Sequence, residues 1–174
     1  MSLVAAIRIG FVVFVASIFQ VSALSSVEVL NAAPDLLLVA VVAIALLRGS
    51  SAGAAAGFLG GLLIDLVTMS TLGVSSLLLT AAGYWAGRYG ETTGRGRPQA
   101  PLVAVGAITM LVGLGAYGLH FMLGDTVSAQ LTLVPLLPAL LWNALLAYPV
   151  HRVVRKLVGV DEGLARAREV EIVA

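Results

Sequence analysis

Long, evenly apolar runs alternate with short polar breaks along this chain. The apolar stretches cover roughly residues 3–24, 33–51, 52–70, 72–89, 101–123 and 131–150. About 20 apolar residues cross ~30 Å of hydrocarbon. The pattern therefore predicts an all-α integral membrane protein: six transmembrane helices bundled in one domain over residues 1–150. The second run is the shortest, with only Leu36–Leu47 uninterrupted. At ~1.5 Å per residue that core covers ~18 Å. Pro34 and Asp35 stand before it, where a proline can open a helix and an acid suits the positive end of its dipole. Residues 151–174 are left as a cytoplasmic tail, basic at first and then of mixed charge.

Composition supports lipid as the solvent. The 174 residues are 60% hydrophobic and 11% charged, with mean hydropathy +1.05. A soluble domain carries about 25% charged residues. There is no cysteine, which excludes a disulfide framework, a thiol nucleophile and a thiolate metal site.

Charge placement orients the spans. With the N-terminus inside, all ten basic residues fall on the cytoplasmic side: Arg8, Arg48, Arg88, Arg95, Arg97, Arg152, Arg155, Lys156, Arg166 and Arg168. The outer loops near 25–33, 70–72 and 124–130 carry none, while Glu28 and Asp125 fall there. Positive charge stays inside, so both termini are expected in the cytoplasm. Arg8, the apolar run after it and Val21-Ser22-Ala23 also fit a cleaved signal peptide, which would leave five spans. The length of Leu3–Leu24 favours a spanning helix.

The third span contains GAAAGFLGGLLID. At about 100° per residue, Gly53, Gly57, Gly60 and Gly61 share one narrow face, with Leu59, Leu62, Leu63 and Leu66 opposite. Gly83 and Gly87 repeat the spacing in the next span. Lipid gives helices no hydrophobic reason to associate, so small residues that admit close backbone approach do that work. The groove serves either packing within the bundle or docking of a partner's helix. Asp65 lies beside Gly61. An acid at membrane depth is costly and faces protein or water. Arg48 is too distant to neutralise it: seventeen residues are about 25 Å of helix. Gln20 and His120 lie at similar depth and are candidate partners; reaching the headgroup region is the alternative. Asn143, in the sixth span, is expected to bond a neighbouring helix. Tyr84, Trp85, Trp142 and Tyr148 stand toward cytoplasmic ends, as interfacial anchors do. Arg152, Arg155 and Lys156 follow the sixth span and either orient it or hold anionic lipid.

Nothing here asks for a cofactor, a metal or nucleic acid. Gly113-Leu-Gly-Ala-Tyr-Gly118 matches a dinucleotide motif, but that motif works only between a strand and a helix. His120 and His151 are the only histidines and fall in opposite leaflets, too far apart to share a metal. No nucleophile accompanies Asp65 and His120, so no enzyme is expected.

Pro34-Asp35-Leu-Leu-Leu, then Gly53-x-x-x-Gly57-Phe58-x-x-Gly61-Leu62-x-x-Asp65, then Leu72-Gly73 and Gly83-Tyr84, resemble the rod shape-determining protein MreD family. That resemblance implies a bacterial plasma-membrane component of the wall-elongation machinery. It implies partnership with MreC, and with MreB, a RodA-type polymerase and a penicillin-binding transpeptidase in the same complex. It also implies a fold similar to the substrate-binding subunits of energy-coupling-factor vitamin transporters. Such a vitamin-transport subunit is the alternative function; Gln20, Asp35, Asp65, His120 and Gln130 are the candidate polar groups it would use.

Overall fold

The computed structural model of the chain describes residues 3–24, 34–93, 99–124 and 134–158. Among these residues there are six long helices and no strand: α1 (Leu3–Phe19), α2 (Leu36–Arg48), α3 (Ser50–Thr68), α4 (Val74–Thr93), α5 (Ala100–Met122) and α6 (Leu136–Val158). α1 widens into a π-helical turn at Gln20–Leu24.

The short second apolar run becomes the axis of the bundle. Every residue from Leu37 to Leu46 is at most 4% exposed. A helix that is apolar on all sides has no face to give to water and is buried. α3, α4, α5 and α6 pack around α2, and α1 closes one side. Within the expected span of 33–51 the helix itself covers Leu36–Arg48. The helix has 13 residues, about 20 Å, and is enclosed by protein rather than lipid.

The outer helices show the converse pattern. α1 turns Ile7, Phe11 and Phe14 outward while Ile9, Val13 and Ala16 face the core. Among the described residues, three helical segments are long and apolar enough to cross a membrane: Leu3–Ser22, Ser50–Thr68 and Ala100–Met122. The molecule is a membrane protein, all-helical over the described residues. α6 continues to Val158, so Arg152, Arg155 and Lys156 stand on that helix rather than on a separate tail.

Candidate functional site

The glycine face of α3 is filled by α4. A Cβ at Gly53 would overlap the Gly83 carbonyl, and a Cβ at Gly83 would overlap the Gly53 carbonyl. Gly57 meets the Leu79 carbonyl, Gly61 the Ser76 backbone, and Gly87 the Ser50 backbone. Contacts recur every three or four residues on both helices, so two backbones run antiparallel in direct contact. Only glycine admits that approach. Gly60 departs from the expected face. It looks toward Leu37 and Val13, where a Cβ would sit 2.9 Å from a Leu37 methyl. The groove thus belongs to the fold, and α4 leaves no room along it for a partner's helix.

Each end of this pair is capped by the other helix. Asp65 is fully buried. Its Oδ2 accepts from Gly73 N–H (2.8 Å) and Ser76 N–H (3.4 Å), and its Oδ1 from Ser75 N–H and the Ser70 hydroxyl, both at 3.3 Å. These are donors that a helix start leaves unpaired. Gly73 supplies one of them by holding φ at 97°, in the left-handed region that glycine enters without penalty. The hydrogen bonds of Asp65 therefore go to the α3–α4 turn and not to Gln20. At the opposite end, Glu91 Oε1 accepts from Ser50 N–H at 2.8 Å and from its hydroxyl at 3.1 Å, and Arg88 lies 3.6 Å from the other carboxylate oxygen. The sequence reading missed Glu91. No local signal marks it, because residue 91 stands beside Ser50 only through the antiparallel packing of α3 and α4.

A second polar cluster surrounds the start of α2. Asp35 caps its own helix, accepting from Leu38 N–H at 2.9 Å. Gln20, carried inward by the π turn, accepts from Leu36 N–H (2.7 Å) and donates to the Pro34 carbonyl (3.2 Å). Asn143 accepts from Asp35 N–H (2.8 Å) and donates to the Thr109 hydroxyl (3.1 Å). Asn143 is 1% exposed and Thr109 5%. Four helices are tied at one point, where buried backbone donors would otherwise lack partners. Nothing in the sequence marked Thr109 as part of it. At the far end of α2, Arg48 donates to the Val158 carbonyl at 2.6 Å, closing the last described turn of α6.

The remaining signature residues lie outside these clusters. Phe58 and Tyr84 are exposed, Leu62 is half-buried, and His120 is half-buried near the end of α5. Tyr84 meets Trp85 edge to face, with ring centroids 5.9 Å apart. Arg152 donates to the Tyr148 hydroxyl at 3.1 Å and lies over its ring. Gly113–Gly118 lie inside α5, with no strand among the described residues. Gln130, Glu28 and Asp125 fall outside the described residues, as do Arg95, Arg97, Arg166 and Arg168. Among the described residues no group of three or more metal-ligating side chains gathers.

His151 lies on α6 and is half-buried.

The family model described as rod shape-determining protein MreD matches residues 1–160. No curated protein and no solved structure matches the chain. A match over nearly the whole chain, on a helical membrane fold whose glycine zipper and Asp65 cap are built from the signature residues, places the protein in the MreD family of rod shape-determining proteins.

Proposed function

We propose that this protein is a non-catalytic scaffold of the wall-elongation complex. It crosses the bacterial plasma membrane six times with both termini in the cytoplasm, binds MreC, and helps link MreB filaments to peptidoglycan synthesis. The bundle on this reading is similar to the substrate-binding subunits of energy-coupling-factor transporters. One observation beyond family membership carries the proposal: five polar side chains in and around the bundle serve helix ends. Asp65, Glu91, Gln20, Asp35 and Asn143 each hold backbone N–H groups, while two clefts between the helices are walled almost wholly by apolar side chains. Such an interior suits a rigid platform. Transport of a polar vitamin would need convergent polar groups aimed into a pocket. With the glycine face filled by α4, MreC is assigned to an outer face.

Affinity-tagged protein purified from its own host is expected to bring down MreC, with MreB, the polymerase and the transpeptidase following. Recovery of a vitamin and an energising ATPase in their place would replace this reading with transport. The topology has its own test, from the ten-to-zero charge asymmetry and its orienting effect. Cysteines at Ser26 and Asp125 should react with impermeant thiol reagent in intact cells, and one at Gly94 should not. Labelling at Gly94 would reverse or break the six-span arrangement.

A further inference from the structure

α1 and α6 both rest on α2 and make little contact with each other. Between them runs a cleft of about 290 Å³. Phe11 and Val15 of α1 form one wall, Pro149, Val153 and Leu157 of α6 the other, and Ala40 of α2 lies at the floor. We infer that this cleft is a binding site for one anionic phospholipid of the cytoplasmic leaflet, its acyl chain in the cleft and its phosphate on Arg8 and Lys156.

Length identifies the occupant. Along α6 the lining runs from Leu146 to Leu157, about 17 Å at ~1.5 Å per residue. One leaflet of a ~30 Å hydrocarbon core is about 15 Å. The cleft's length therefore matches one acyl chain rather than a full membrane thickness. A partner's spanning helix would run the full ~30 Å thickness, well past the ~17 Å of this lining.

Charge identifies the headgroup. Phe11, Val12 and Val15 line the cleft, and Arg8 precedes Phe11 and Val12 by three and four residues, so it continues the same face one turn further toward the N-terminus. Arg8 and Lys156 are exposed, and Lys156 adjoins Leu157 at the corresponding end of α6. In lipid the acyl chain gains no hydrophobic energy by entering the cleft, so selectivity comes from the headgroup. Basic residues between helices on the cytoplasmic side hold anionic headgroups in this way. Assignment to the cytoplasmic leaflet rests on the orientation proposed above; the binding itself does not.

The test uses full-length protein in phosphatidylcholine nanodiscs doped with either photoactivatable phosphatidylglycerol or photoactivatable phosphatidylcholine, the reactive group being on the acyl chain. Phosphatidylglycerol should crosslink to the α1–α6 cleft in preference to phosphatidylcholine. Arg8→Gln and Lys156→Gln should each lower that preference about fivefold, the worth of one basic residue at an anionic surface. Both positions are exposed, so these variants keep the fold, checked by an unchanged melting temperature. Val153→Trp should cut labelling by both lipids by filling the cleft. Equal labelling by the two lipids, or a preference that survives both glutamine changes, would overturn the inference. So would a crosslinker at Val153 that captures another protein's helix in cells. MreC recovery enters none of these readouts, so failure here and failure of the scaffold reading are separable.

Discussion

Gly57→Ala is expected to unseat α3 from α4, although it adds one methyl group. That methyl would overlap the Leu79 carbonyl, with Thr80 N only 2.9 Å away. No flexible side chain is present to swing aside, so a backbone must move. Overpacking costs ~1–3 kcal/mol where side chains can adjust, and a backbone obstacle puts this substitution at or above the upper end. The variant should lose thermal stability and run as a broad or aggregated peak in size-exclusion chromatography. Gly106→Ala is the matched control. Nothing lies within 4 Å of that position, and alanine is the better helix former by up to ~1 kcal/mol. It should be neutral or mildly stabilising. Equal behaviour of the two variants would contradict the direct backbone contact between α3 and α4.

Asp65→Leu should be nearly as damaging. It removes a carboxylate that accepts from three backbone N–H groups and one hydroxyl, at a site with no exposure. A buried donor left without a partner costs ~1–3 kcal/mol. Asp65→Asn should fall between wild type and Asp65→Leu. The amide keeps one accepting oxygen but sets an NH₂ against donors on the other side. The expected order of melting temperatures is therefore wild type, then Asp65→Asn, then Asp65→Leu, with complex recovery following the same order. A folded Asp65→Asn protein that lost function as fully as Asp65→Leu would instead indicate a role for charge or a labile proton, and would remove Asp65 from the capping role.

These two sites differ in how far they could be read ahead. The spacing of Gly53, Gly57 and Gly61 announces a close helix contact, because periodicity and small size are local properties. The partner surface is not local. The choice between a neighbouring span and another protein's helix was open until α4 was seen to present Gly83, Leu79 and Ser76 in register. Asp65 was legible as a buried polar group, yet its partners were sought at similar depth on Gln20 and His120. They lie instead within eleven residues of it in sequence, at the first turn of α4. The turn could not be read because its geometry depends on Gly73 adopting a left-handed backbone.

By itself the sequence determined the solvent, the helical class and the small-residue face, since composition and period along one helix carry that information. Tertiary structure alone decided that α2 is the enclosed axis, that Gly60 turns toward Leu37 while its neighbours meet α4, and that Asn143 reaches across 108 positions to Asp35. The reason is the solvent. In water an apolar stripe marks the inward face of a helix, because the outward face must be polar. In a membrane both faces are apolar, lipid tails being as apolar as leucine. The pattern along the chain then stops distinguishing inside from outside, and packing and hydrogen bonds between distant segments make that choice.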